Sequence, residues 1–179
     1  MSRSGYSDDC DGAELNLWRG AVESAIRGKR GQAMLRELLS ALDELPEKRL
    51  APDSLVTDDG EYCALGALGR ARGISMVPSD PEDVDPKEVA RAFGIAPALA
   101  AEVMFLNDEH VHAEKFVKME ICGPVRPHHP EYGEHKKLVR MPVPDVAEKR
   151  WAYMRAWAQS QITANPSPQP PDTQGEPAL

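Results

Sequence analysis

Apolar side chains recur every three or four residues in two consecutive segments near the start of the chain, and this spacing constrains the fold more than any other feature. The first segment runs from Leu15 to Ile26, and the second carries leucines at helical spacing from Leu35 to Leu45. The run Gly28–Gly31 interrupts the pattern, and Pro46 ends it. We predict two helices joined either as an antiparallel hairpin, which the two glycines favour, or as one kinked rod.

A short β-hairpin is predicted around the dipeptide Asp59–Gly60. In "LVTDDGEYCAL" (55–65) two strand-like runs flank this dipeptide, which favours a tight turn. The next segment, "ALGALGRARG", suits a short helix that ends at Gly73.

The segment "VARAFGIAPALAAEV" (89–103) has the outline of a helix-turn-helix. Asp85 can cap a first helix that has Pro86 at its first position, and a second helix is expected from about Pro97 to Asn107. A helix that reads DNA bases presents Arg, Lys, Asn, Gln or Ser to the major groove. Residues 97–106 carry one acid and no such side chain. We therefore interpret this segment as a packing unit and not as a DNA reader.

The rest of the chain divides by composition. Residues 1–13 are polar and expected to be flexible, and residues 163–179 are proline-rich and expected to form a disordered tail. Residues 108–144 lose helical periodicity and contain all five histidines, with one short strand expected around "KFVKMEI". The sequence thus predicts a mainly α fold, in which one small helical domain (14–162) carries the helix-turn-helix-like hairpin and one short β-hairpin.

The last helix of this domain is expected to begin after Asp145 and to run through about Ile162. Glu148 stands three residues after Asp145, as in a capping box. The predicted core stripe of this helix includes Trp151 and Met154.

Composition excludes several classes of protein. With 179 residues, 41% of them hydrophobic, the chain can bury one core, and a net charge of -8 disfavours a general nucleic-acid binder. Three widely spaced cysteines do not make a disulfide framework, and no apolar run approaches the roughly 18 residues that span a membrane. The N-terminus lacks the apolar core of a signal peptide. We expect a cytoplasmic protein without a membrane partner.

Histidine is the main candidate for metal chemistry. Two imidazoles in a His-x-His pair on an extended strand project to one side, which suits zinc (Zn²⁺) once a third ligand arrives. No compact zinc signature is present, so a solvated loop rich in histidine is the alternative, and no other cofactor is expected. The candidate ligands are His110, His112, Cys122, His128, His129 and His135.

Cations surround the predicted break between the first two helices. Cations and free N–H groups at a helix N-terminus can hold an anion, although "GKRG" is not a Walker motif and a solvated turn is the alternative. The candidate residues for anion or phosphate contact are Arg19, Arg27, Lys29, Arg30 and Arg36. No nucleophile and base stand in a recognisable pattern, so no catalytic site is proposed.

Four stretches of the chain carry a family resemblance: "LWRGAVESAIRGKRGQAMLRELLSALDELPEKRL", "DGEYCALGALGRARG", "VARAFGIAPALAAEV" with "NDE", and "RWAYMRAWAQSQI". Together they resemble a group of small hypothetical proteins encoded by tailed phages and bacterial prophages. The resemblance covers about Leu17 to Ile162 and implies an intracellular setting in phage growth or lysogeny, but no activity. This chain departs from the group by a longer segment between "NDE" and the last helix.

Three functional hypotheses follow. The leading one is a non-enzymatic phage or prophage accessory protein that binds a host or phage protein, since the chain is acidic and lacks a catalytic constellation. The second is a nucleic-acid-associated regulator that contacts phosphates through the 19–36 stretch. The third is a metal-binding protein that uses the 110–135 histidine cluster.

Overall fold

The structure is a computed structural model that describes residues 12–78, 84–120 and 136–163. In chain order these residues form α1 (Gly12–Arg27), α2 (Lys29–Glu44), α3 (Ala64–Ala71), α4 (Pro86–Phe93), α5 (Pro97–Asp108), β1 (Glu114–Glu120), β2 (Lys136–Pro142) and α6 (Val146–Gln161). The mainly α fold class with one two-stranded hairpin is confirmed. Flexibility was predicted for residues 1–13 and disorder for residues 163–179. The first two residues of α1, Gly12 and Ala13, are helical, and the Thr163 N–H donates to Gln32. Residues 1–11 and 164–179 lie outside the described residues.

The core is built around α2, which packs against α1, α3 and α6. Its leucine stripe faces inward as predicted, except that Leu39 is only half-buried. On α6, Met154 is fully buried, whereas the half-buried Trp151 donates its Nε1–H to the carbonyl oxygen of Leu42, 3.0 Å away. The side chains with the lowest exposure include Met34, Leu35, Leu38, Leu42, Leu65, Leu68, Leu99, Val103, Met104 and Met154.

The break between α1 and α2 is one residue long, shorter than predicted. Gly28 alone has an extended backbone, and Gly31 lies inside the first turn of α2. A Cβ atom on Gly31 would stand 2.0 Å from the carbonyl oxygen of Ala25, so glycine permits the close approach of the two helices. Gln32 then donates to the carbonyl oxygens of Ile26 and Gln161, at 2.9 Å each, which ties the end of α1 to the end of α6.

The helix-turn-helix outline forms as predicted. The Asp85 side chain accepts a hydrogen bond from the Lys87 N–H at 2.8 Å, Gly94 adopts a left-handed backbone with φ of 65°, and the axes of α4 and α5 meet at 110°. Most of α5 is buried, and its inner face packs on α1, α3 and α4. A helix enclosed in this way cannot enter a DNA groove, which supports its interpretation as a packing unit. Among the described residues, none of the helices by itself has both the length and the apolar composition that a membrane crossing requires.

The β-structure differs from the prediction. The turn at Asp59–Gly60 forms, with Gly60 at φ of 80°, but it joins only one bridged pair, Val56 with Tyr62, before the chain enters α3. The two-stranded sheet lies instead at 114–120 and 136–142, where the sequence suggested one short strand in irregular structure. Its strands are separated in sequence by positions 121–135.

The predicted capping box at the start of α6 does not form. Asp145 has a left-handed backbone with φ of 57°, and its side chain makes no capping hydrogen bond. Lys149 binds the preceding carbonyls instead, through its backbone N–H to Asp145 at 3.0 Å and through Nζ to Pro144 at 2.8 Å.

Candidate functional site

Strands β1 and β2 form an antiparallel ribbon that stands apart from the helices, and we call it the arm (114–120 with 136–142). The Val143 N–H donates to the Ala113 carbonyl oxygen at 2.8 Å, which closes the base of the arm. In the described part of the chain, the two strands pack on each other, and no helix packs extensively against either. The arm is therefore an extension of the helical body and not a part of its core.

The two strands carry the same five-residue pattern. Residues 115–119 are "KFVKM" and residues 137–141 are "KLVRM", and the register places Val117 directly across from Val139. Because the strands are antiparallel, this pair lies on a local pseudo-two-fold axis of the arm. The sequence interpretation predicted one strand here, around "KFVKMEI", but missed the repeat that indicates its partner strand.

In each cross-strand pair next to the Val117–Val139 pair, one strand contributes a cation and the other contributes an apolar side chain. These pairs are Lys115 with Met141, Phe116 with Arg140, Lys118 with Leu138, and Met119 with Lys137. The apolar members are exposed, with relative accessibilities of 65% for Phe116, 59% for Leu138, 47% for Met119 and 39% for Met141. The arm therefore presents apolar groups to solvent, each beside a positive charge.

Both faces of the arm have this mixed character. Side chains alternate between the two faces of a strand, so Phe116, Lys118, Leu138 and Arg140 share one face. The other face holds the two valines in its centre, with a methionine and a lysine at either side. A partner on either face thus meets apolar surface and cations together.

The charge of the arm is opposite to that of the chain. Its strands contain five cations and two acids, a net charge of +3, whereas the whole chain carries -8, so the remaining residues together carry -11. Sequence reasoning placed the basic surface at 19–36 and overlooked this one.

A second polar feature, at the end of α5, is buried. Asn107, 1% exposed, accepts a hydrogen bond from the Ala64 N–H and donates to the carbonyl oxygen of Ala51, both at 3.0 Å. Arg150, 4% exposed, donates from Nε to the Asn107 carbonyl oxygen at 2.7 Å and from Nη1 to that of Leu50 at 2.8 Å. These bonds join α5, α6 and the loop before α3, so their role is structural.

Charge around Arg150 supports that role. Burial lowers the pKa of the Arg150 guanidinium, while the negative charges of Asp108 and Asp53 act in the opposite direction. A cleft of about 370 Å³ opens beside the three side chains, and Glu109 and His112 also line it. The Asp53 N–H donates to Asp108 Oδ1 at 3.1 Å, so Asp108 holds the loop against α5.

The residues predicted to contact an anion lie at two places. Arg27 pairs with Glu23 at 2.6 Å across one helical turn, next to the exposed Lys29 and Arg30 at the junction of α1 and α2. Arg36 lies further along α2 and donates to the carbonyl oxygens of Gln32 and Thr163, at 3.0 Å each. Arg19 is exposed on α1. Anion binding at this junction stays a prediction.

Only two of the predicted metal ligands lie in the described residues. His110 stacks on Tyr153, with ring centroids 3.9 Å apart and an interplanar angle of 16°, and His112 lines the cleft beside Arg150. Both precede β1, so they do not form the His-x-His pair on a strand that the zinc argument used. Across residues 12–78, 84–120 and 136–163, no group of three or more acidic, His or Cys side chains is placed to hold a metal.

The other four predicted ligands, Cys122, His128, His129 and His135, lie outside the described residues. Zinc binding therefore stays a prediction.

No protein-family model matches this chain, and no curated protein or solved structure is significantly similar to it. The chemistry of the arm is therefore the basis for inferring a function.

Proposed function

We propose that this chain is a non-enzymatic accessory protein of a phage or prophage that binds a host or phage protein through the arm. The observation that carries the proposal is the exposure of Phe116 and Leu138 on an element that packs extensively against no described helix. Contiguous exposed apolar groups rimmed by polar ones are typical of protein interaction sites. The phage setting rests on the sequence resemblance and is part of the proposal.

A protein partner fits the arm better than a nucleic acid. A two-stranded ribbon with cations can enter a DNA major groove, and the net charge of +3 on the strands favours any polyanion. However, Phe116, Leu138 and the two methionines alternate with those cations, and phosphate offers them no apolar contact. Aromatic residues, Met and Arg are enriched in protein interfaces, and the arm supplies such residues in Phe116, Met119, Arg140 and Met141.

A comparison of co-purified proteins tests the proposal. The full chain, carrying an affinity tag that contains no histidine, is expressed in lysogenic or infected cells beside a Phe116→Ser/Leu138→Ser double variant. The matched control is Leu17→Ser, which removes a leucine that is 77% exposed on α1, away from the arm. We expect one stoichiometric partner with the wild type and the control, and its loss with the double variant.

Two results would contradict the proposal. One is a wild-type chain that recovers no stoichiometric partner, and the other is a partner that the double variant retains. A duplex DNA that binds the purified chain, and that is lost when the cations of the arm are replaced, would support the nucleic-acid hypothesis instead.

A further inference from the structure

We infer that the ligand of the arm is an extended acidic segment of the partner protein, which adds to the ribbon as a third strand. Read from the N-terminus of this ligand segment, its side chains follow the order apolar, acidic, apolar, apolar, acidic. The inference rests on the proposed function, because it names the chemistry of the partner that the arm binds.

Backbone groups for such a strand are available on the arm. In the described residues the sheet has two strands, so each has one edge that pairs with no third strand. The N–H and C=O groups along an open edge are a template for an added strand, and side chains directly across from one another then decide which sequence fits.

The side chains of β1 define the order of the ligand. An antiparallel segment beside β1 meets Met119, Lys118, Val117, Phe116 and Lys115 in turn. Acidic residues are favoured across from the two lysines, and apolar residues across from the other three. Read from its N-terminus, the ligand is therefore apolar, acidic, apolar, apolar, acidic.

The edge of β2 selects the same ligand. An antiparallel segment there meets Met141, Arg140, Val139, Leu138 and Lys137, which repeats the order of apolar and basic groups found on β1. The repeated pentapeptide thus gives one specificity to both edges. It also allows two ligand segments to bind one arm.

A second copy of the arm is a poor occupant. Two arms would each bring a net charge of +3, and lysines on edge strands are a common device against self-pairing. The ligand is therefore not a second arm but a segment that carries the opposite charge, and under the proposed function it belongs to another protein.

Binding of labelled peptides to the full chain, followed by fluorescence anisotropy, tests the inference. The probe contains Val-Glu-Val-Leu-Glu between Gly-Ser flanks. One control, Val-Val-Glu-Leu-Glu, has the same composition with one acid moved, and the other, Val-Lys-Val-Leu-Lys, reverses the charge. At low ionic strength we expect the probe to bind about tenfold or more tightly than either control, since misplaced or like charges lose the cross-strand pairs.

Charge reversal on the arm provides the matched protein variants. Lys118→Glu/Arg140→Glu reverses one cation on each edge and is expected to weaken binding of the probe about tenfold. Lys87→Glu reverses an exposed cation on α4 and is expected to change binding less than about twofold. Circular dichroism verifies that both variants are folded.

Several outcomes would overturn the inference. These are no binding of the probe at about 1 mM, equal binding of the probe and the permuted control, equal weakening by Lys87→Glu, or displacement of the probe by duplex DNA at the same salt concentration. If the co-purified partner still requires Phe116 and Leu138 while the probe and the control peptides bind equally, the inference fails and the proposed function stands.

Discussion

The guanidinium of Arg140 lies over the ring of Phe116, its partner directly across the arm, with the guanidinium carbon 5.6 Å from the ring centroid. Arg140 Nε also lies 3.1 Å from Oε2 of Glu114 on the same face. A cation–π contact at an exposed site contributes about 0.5–1 kcal/mol. The contact therefore orders Phe116 on the arm while the ring stays exposed.

Because the arm packs extensively against no described helix, its apolar side chains contribute little to the stability of the body. We expect the Phe116→Ser/Leu138→Ser variant to change the free energy of unfolding by less than about 1 kcal/mol. Leu68→Ser, at a fully buried position on α3, is expected to cost about 3 kcal/mol or more. Urea unfolding followed by tryptophan fluorescence measures both, and a comparable loss in the arm variant would show that the arm belongs to the core.

Removal of the buried guanidinium is expected to have a large effect. Arg150→Met leaves the carbonyl oxygens of Asn107 and Leu50 without their donor and removes the positive charge near Asp108. We expect a loss of about 3–5 kcal/mol in the free energy of unfolding. Arg155→Met, at a half-exposed position on the same helix, should cost much less, because water screens its ion pair with Asp43. Similar losses for the two variants would argue against a structural role of the buried network.

The pair between Arg155 and Asp43 makes part of the stability depend on pH. Arg155 donates to both carboxylate oxygens, at 2.6 and 3.0 Å, and this hydrogen bonding holds the pKa of Asp43 below its ordinary value. The folded-state pKa lies below the unfolded one, so the stabilisation is present at neutral pH. It is lost as the pH falls through the acidic range below about 4.

Arg155→Gln should therefore raise the pKa of Asp43, which NMR titration of its carboxyl carbon measures. In Arg155→Gln and in Asp43→Asn the loss of stability on acidification should also be shallower. An Asp43 titration that Arg155→Gln leaves unchanged would contradict this account.

One substitution is expected to have opposite effects at two glycines. A Cβ atom on Gly66 would stand 1.8 Å from the backbone oxygen of Leu55, whereas one on Gly20 would meet nothing within 4 Å. Gly66→Ala should destabilise the fold by more than about 2 kcal/mol, since backbone must move. Gly20→Ala, in the exposed part of α1, should stabilise it by about 0.5–1 kcal/mol. Thermal unfolding of the two variants gives the sign of each change in stability. The same sign for both variants would contradict the close packing described at Gly66.

The parts of the fold that local chemistry determines were predictable from the sequence. Asp85, Pro86 and Gly94 each act within one helical turn, so they located the helix-turn-helix outline correctly. Asp145 was a wrong prediction of the same kind, because its left-handed backbone turns the side chain away from the capping position. A capping pattern gives the residue types but not the backbone angle.

The parts that depend on distant contacts were not predictable in the same way. Asn107 and Arg150 are 43 positions apart, and only an amide at the end of an apolar helix hinted at a buried network. The arm pairs strands that positions 121–135 separate, with cations and apolar groups mixed on both faces, so it lacks the alternation of a half-buried strand.

The hydrogen bond from the Val143 N–H to the Ala113 carbonyl oxygen joins the two chain segments where the arm leaves the helical body. The Arg150–Asn107 bond joins α5 and α6, the helices that precede and follow the arm. The ends of the arm thus meet at a fixed distance, whatever lies between them. Residues can be inserted, deleted or exchanged beyond this closure without repacking the interior. The binding surface of the arm can therefore change while the packing of the helices stays the same.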